Sequence, residues 1–230
     1  MRTFLIAISA AVALASPASA ATRNFGVESF TKVRVDGPFK VTLSTGVPPF
    51  ARATGSTTGL ERVAVEIQGD TLVIRAQDAW GGYPGADPGP VEISVGTHDL
   101  ASASLNGAGS IAIDRVKGLT FALSLQGSGA GEIASVAIDQ LRVSVVGSAS
   151  AKIAGHAGKL TALVRGISSL DASALTTPNA QITADGTSTV DASVTDTARI
   201  DAWGPATIRL AGRPSCTVKT TGSTSVTGCR

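Results

Sequence analysis

The sequence predicts an all-β chain wound as a parallel β-helix, a β-solenoid, and three observations carry that prediction. Seven glycines, Gly107, Gly127, Gly147, Gly166, Gly186, Gly204 and Gly222, recur 18 to 20 residues apart down the second half of the 230-residue chain. Self-similarity at a fixed short period marks a repeat architecture. Counted from each glycine, apolar and polar positions alternate with the period of two that a strand requires. Composition agrees, because 26 glycines and an aromatic content of only 4% suit thin coils with tight corners.

The first twenty residues have the form of an export leader: Arg2 at the start, an apolar run from Phe4 to Leu14, then Ala18-Ser19-Ala20 after the helix-breaking Pro17. An apolar run of eleven residues falls well short of the roughly 20 that span a bilayer. Residues 1–20 are therefore expected to be cleaved as a signal peptide, leaving a mature chain that starts at Ala21. The product is expected in the periplasm, outside the cell or on its surface, with no integral membrane segment. One of the 19 basic residues, Arg2, lies in the leader, so 18 basic residues face 17 acidic ones in the remainder. A net charge this close to zero offers nothing to nucleic acid.

Residues 21–98 form the less regular N-terminal β region. Phe30 to Val35, Phe39 to Leu43, Val63 to Ile67 and Thr71 to Arg75 alternate as strands, and Gly69-Asp70 reads as a hairpin turn. These strands fit either a capping sheet or irregular first coils, either of which covers the strand edges at the end of a solenoid. Residues 80–90 include Trp80 and Tyr83 among glycines and prolines, a composition that predicts a loop.

Residues 99–230 carry about seven coils, expected to run on continuously from the N-terminal region. Four before each glycine stand Ala103, Leu123, Val143, Ala162, Ile182, Ile200 and Val218; two before stand Leu105, Leu125, Val145, Val164, Ala184, Ala202 and Thr220. Both sets read as inward columns. The position between them is mostly polar, Leu163 excepted, and faces outward. Past the glycine corner comes a second apolar pair, as in Ile111 and Ile113, Leu170 and Ala172, Val190 and Ala192, Ile208 and Leu210. The second and third repeats read as carrying two extra corner residues, which brings Ile133 and Ile153 into the same column. A single such unit cannot bury its apolar face, whereas stacked units build a continuous core. A β-sandwich also fits short strands between turns, but it does not call for in-phase columns over seven segments.

Cys216 and Cys229 are the only cysteines and both fall in the last repeat. Export to an oxidising space predicts a disulfide between them, and twelve intervening residues do not make a redox motif.

Taken together, these features resemble the GIN-domain family of exported bacterial proteins, the auto-transporter adhesin head domains. The residues that carry the resemblance are Phe30-Thr31-Lys32-Val33-Arg34-Val35 and Gly69-Asp70-Thr71-Leu72-Val73-Ile74. The turns Asn106-Gly107-Ala108-Gly109-Ser110, Gln126-Gly127-Ser128-Gly129-Ala130 and Val146-Gly147-Ser148-Ala149-Ser150 follow them. The resemblance covers most of the mature chain. It implies a parallel β-helix and no catalytic residue.

Candidate sites are few. Asp171 and Asp191 stand at the same offset in successive repeats, and strands about 4.8 Å apart would place them near the separation of a retaining glycosidase pair, about 5 to 5.5 Å. Arg209 takes that offset in the next repeat, so the competing reading is a surface charge ladder, to which Arg165 with Asp185 and Asp201 with Lys219 also belong. His98 and His156, the only histidines, have no metal-ligand spacing and read as surface residues; no metal and no cofactor is expected. Trp80, Tyr83 and Trp203 can stack on sugar rings or anchor a protein partner, or can cover apolar surface.

The chain is thus expected to be a non-enzymatic, exported, adhesin-like binding module for an envelope or extracellular glycan or a protein partner. The alternatives are a polysaccharide hydrolase or lyase using Asp171 and Asp191, and a structural envelope protein whose solenoid ends join it into oligomers.

Overall fold

A computed structural model describes residues 21–77 and 89–230. It is 72% strand and 3% helix, wound as parallel stacked coils of a β-solenoid of about six turns. Six intervals separate the seven glycines from Gly107 to Gly222, and each interval is one turn.

The chain enters through β1 (Ala21–Phe25), β2 (Lys32–Asp36), β3 (Lys40–Thr45) and β4 (Phe50–Gly55). Helix α1 (Thr57–Glu61) follows, then β5 (Val63–Gln68), β6 (Thr71–Ala76) and β7 (Glu92–Thr97). The coils proper begin with β8 (Ser102–Gly107), β9 (Ser110–Ile113) and β10 (Val116–Gly127), and continue through β11 (Ala130–Gly147), β12 (Ser150–Gly166), β13 (Ser169–Asp185) and β14 (Thr189–Trp203). They end with β15 (Thr207–Ala211), β16 (Ser215–Thr221) and β17 (Ser225–Thr227).

Each long strand wraps round most of a coil. Along β11 the alternation of buried and exposed residues slips twice, at Ala134-Ser135 and Asp139-Gln140, where two successive residues face outward. These slips are corners. They divide the coil into three faces: a first with Gly131 and Ile133 inward, a second with Val136 and Ile138, and a third with Leu141, Val143 and Val145. A glycine corner then leads to the next coil.

The inward columns read from the sequence are buried from Ala103 through Ile200 and from Leu105 through Ala202. Only the last coil opens, with Val218 at 42% exposure. No two-residue insertion occurs in the second and third repeats. Gly131 stands opposite Ile111 and Ala151, while Ile133 stands opposite Ile113 and Ile153. The column changes side-chain size instead of register. A Cβ on Gly131 would lie 2.8 Å from Leu125 Cδ1, so leucine from the third face fills the space that isoleucine fills in the coil before.

The N-terminal region supplies a further coil. Val33 and Val35 of β2 pair in parallel register with Ala103 and Leu105, and β3 pairs likewise with β9. Gly37 thereby joins the glycine column. On the far side of that coil β6 and β7 add one more parallel layer. Antiparallel strands close the end: β5 on β6, with Gly69-Asp70 as the turn, and β4 then β1 on β7. Helix α1 crosses between β4 and β5, started by Ser56, whose hydroxyl accepts from Gly59 N at 2.9 Å. Its Leu60 is buried in the core. Strands that run against the parallel stack, with a helix beside them, end the solenoid without leaving its first parallel layer bare.

At the other end, Cys216 and Cys229 form a disulfide. Together with the bond from Arg230 N to Pro214 O, 3.1 Å, it draws the ends of the segment 214–230 together. β16 and β17 each pair with one neighbouring strand, so the crosslink supplies restraint that inner coils obtain from a second neighbour.

Candidate functional site

On the first face, outward positions form columns at strand spacing. Glu132, Lys152, Asp171, Asp191 and Arg209 occupy one column on five successive strands. Ser150, Ser169, Thr189 and Thr207 occupy the column beside it. Small side chains floor a trough of about 410 Å³ running from Lys40 to Asp171, and a second hollow of about 320 Å³ continues from Asp171 past Asp191 to Arg209.

The register brings Asp171 and Asp191 side by side as the sequence required, but their partners differ. Asp171 Oδ1 accepts from Ser173 Oγ at 2.6 Å and from Ser173 N at 3.1 Å. The hydroxyl bond and then the backbone bond hold its carboxyl below the ordinary aspartate range against the opposing effect of burial, and the nearby Lys152 charge adds the least. Asp191 Oδ1 pairs with Arg209 Nε at 3.0 Å. A retaining glycosidase needs one of its two carboxyl groups protonated as the acid. Here donors lower the titration range of one carboxyl and a guanidinium pairs with the other, the arrangement of a charge ladder.

Two further pairs behave differently from each other. Arg165 Nε reaches Asp185 Oδ2 on the next coil at 3.0 Å, as the repeat predicts. Asp201 and Lys219 also lie in register, yet Asp201 bonds Arg199 Nε at 3.1 Å on its own strand. Residues two apart on a strand share a face, and the arginine fork reaches the carboxylate first; the expected Asp201–Lys219 ion pair is not formed.

Trp203 is 46% exposed at the end of β14, in register with Asp185. Trp80 and Tyr83 lie outside the described residues. His98 and His156 are both exposed and belong to different strands or turns. Among the described residues no group of His, Cys, Asp and Glu side chains is arranged to hold a metal ion, and no helix is long and apolar enough to cross a membrane.

The sequence reading passed over a larger cleft. On the third face, nearest its corner with the second, Lys159, Asn179, Thr197 and Ser215 fall in one column, with Gln181, Arg199 and Thr217 in the next. Together they line a cleft of about 570 Å³. Thr197 Oγ1 donates to Asn179 Oδ1 at 2.6 Å, which orients the amide. These residues sit seven and five positions before their glycines, so the alignment that revealed the inward columns also held this one. It was missed because the offsets next to the glycine drew the comparison.

The fold and these surfaces define a class: a rigid β-solenoid scaffold that presents registered columns of polar side chains. The chain belongs to the family described as "Putative auto-transporter adhesin, head GIN domain", which matches residues 29–214. Among solved structures it is similar to a "putative adhesin" from Bacteroides fragilis, with a TM-score of 0.83 and 16% identity over 90% of this chain and 96% of that one. It is also similar to a "putative lipid binding protein" from Parabacteroides distasonis (TM-score 0.69, 16% identity, 90% and 95% covered) and to a "putative adhesin" from Parabacteroides merdae (0.63, 18%, 90% and 95%). At such identities the likeness is one of fold. No curated protein matches the chain.

Proposed function

We propose that this protein is an exported, non-enzymatic, adhesin-like module that binds an envelope or extracellular glycan or a protein partner through its outward columns. Residues 1–20 serve as its cleaved signal peptide, and its place is the periplasm or the cell surface. The observation that carries this reading is the registered outward surface itself. Strand pairing spaces polar side chains along the solenoid before any partner arrives, and preorganised groups lose little freedom on association. Family membership supports the same direction. The aromatic side chains Trp203, Trp80 and Tyr83 are the proposed stacking contacts.

The test is binding of the chain from Ala21 onward to an array of envelope and extracellular glycans and to envelope proteins. Wild type, Trp203→Ala and the Trp80→Ala/Tyr83→Ala double variant are run together. Saturable binding weakened by either set of substitutions supports the module and locates its aromatic contact. A folded wild type that binds nothing on either panel, or that turns over a glycan, overturns the proposal.

A further inference from the structure

We propose that the cleft on the third face, lined by Lys159, Asn179, Gln181, Thr197, Arg199 and Ser215, is a binding site for a carboxylate-bearing sugar. The inference rests on the binding-module reading and names a ligand class and a place for it.

The lining is chemically one-sided. Among the described residues it holds two cations, two carboxamides and several hydroxyls, and no carboxylate is part of the wall. On the first face Glu132, Asp171 and Asp191 share the column with both cations, Lys152 and Arg209, whereas in the cleft a carboxylate reaches only Arg199. In the cleft, Lys159 has no ion-pair partner among the described residues. Arg199 is anchored from outside the wall: its Nε bonds Asp201 Oδ2 at 3.1 Å. That bond orients the guanidinium and offsets its charge as Asp191 does for Arg209, so Lys159 is the uncompensated cation of the cleft.

Carboxamides both donate and accept hydrogen bonds, which suits a ligand rich in hydroxyl groups. Asn179 is already oriented by Thr197, and Gln181 stands next to it, two residues along the same strand and on the same face. Lys159 and Arg199 lie two strands apart, a separation of about 9.6 Å across the sheet from the ordinary strand spacing. They therefore flank the amides at opposite corners of the cleft, with the sugar hydroxyls over the amides and its carboxylate at Lys159, the cation without an ion-pair partner among the described residues. The 570 Å³ volume falls within the size of small-molecule clefts, about 300–1,000 Å³. No aromatic ring among the described residues lines it, so charge and hydrogen bonds carry the affinity, and added salt weakens binding.

The probes are trigalacturonic acid and sialyllactose, with the trimethyl ester of the first and plain lactose as neutral counterparts. Each is titrated into isotope-labelled protein while the side-chain amide signals of Asn179 and Gln181 are followed by NMR. At least one acidic sugar is expected to shift both signals saturably, with its neutral counterpart roughly tenfold weaker or worse, the scale of one charge-assisted contact. Lys159→Gln, an exposed change with no ion pair to break, is expected to weaken the acid about tenfold at an unchanged melting temperature. Arg199→Gln is expected to weaken the acid less, because Asp201 already offsets that charge, and Gln181→Ala provides a variant without change of charge.

The proposal is overturned if neither acidic sugar moves these signals, if the neutral sugars move them equally, or if Lys159→Gln and Gln181→Ala both bind the acid as wild type does. Acidic sugar that binds while leaving Asn179 and Gln181 unmoved overturns the cleft and leaves the binding-module reading standing. The glycan and protein panels decide that reading separately.

Discussion

Replacing Gly166 with alanine tests the stacking of the solenoid along its glycine column. Gly166 has φ +91°, a conformation that costs a residue with a side chain roughly 1–3 kcal/mol. An alanine Cβ there would lie 2.5 Å from the Gly147 carbonyl oxygen of the coil below. That oxygen is already occupied, accepting from Ile167 N at 2.8 Å and from Ser168 Oγ at 3.0 Å. Backbone meets backbone, so the clash is relieved only by parting the coils, which adds an overpacking cost of about 1–3 kcal/mol. The sum, about 2–6 kcal/mol, is a large share of an ordinary folding stability of about 5–15 kcal/mol. At roughly 2–4 °C per kcal/mol for a chain of this size, the melting temperature should fall by about 4–24 °C. Two controls separate the contributions. Gly46 has φ +74° with nothing within 4 Å of where an alanine methyl would sit, and Gly26 has neither positive φ nor a neighbour. Thermal melts followed by circular dichroism should rank Gly26→Ala as nearly neutral, Gly46→Ala as intermediate and Gly166→Ala as worst. If Gly166→Ala is no worse than Gly46→Ala, the stacked glycine carbonyl is not what excludes a side chain there, and the reasoning fails.

Two further outcomes follow from the described geometry. Opening the Cys216–Cys229 bond, whose partners are 13 residues apart, should cost about 3 kcal/mol on the chain-entropy model, with faster amide exchange confined first to residues 214–230; uniform exchange throughout would show that the last coil does not depend on the crosslink. Asp171 should titrate below the ordinary aspartate value by NMR, and Ser173→Ala should move it back up, since the Ser173 hydroxyl is the largest cause of the shift. A folded-state value below the unfolded one means that the ionised carboxylate adds stability above the unfolded value, and that this is lost as pH falls through the folded one. An Asp171 value at or above the ordinary range would contradict the hydrogen-bonded geometry and reopen an acid role.

How much of this was legible in the sequence depended on whether a residue's partner lies at a constant offset. Inward columns such as Leu123, Val143 and Ala162 were readable because every coil repeats the same steric demand, as was the register that aligns Asp171 with Asp191. The coil containing Gly37 obeys the same rule, with Val33 and Val35 four and two residues before the glycine. It went unread because the strands of the cap intervene before Gly107, and a periodicity search sees a gap where the fold sees a neighbour. Gly131 illustrates a second limit. Its column position was obscured by size, since Leu125 reaches across from another face to fill the space, and no local pattern reports a contact between faces.

Side-chain choice on the outward surface was less legible, because several partners compete at similar distances. Asp201 had Lys219 across the strand and Arg199 along it, and chose the arginine. The same freedom lets the scaffold carry recognition. Since the inward columns fix coil stacking, outward residues can vary from coil to coil without disturbing the fold, and their spacing is set in advance. Catalysis would require that freedom to be spent on groups tuned for proton transfer. Among the described residues, the two carboxylates held away from the ordinary range, Asp70 by its hydrogen bond from Lys32 and Asp171 by Ser173, are both shifted downward, toward permanent charge. Fixed charges and preset amides suit a surface that holds a ligand, and the Lys159–Arg199 cleft is where cations and amides line a wall that carries no carboxylate.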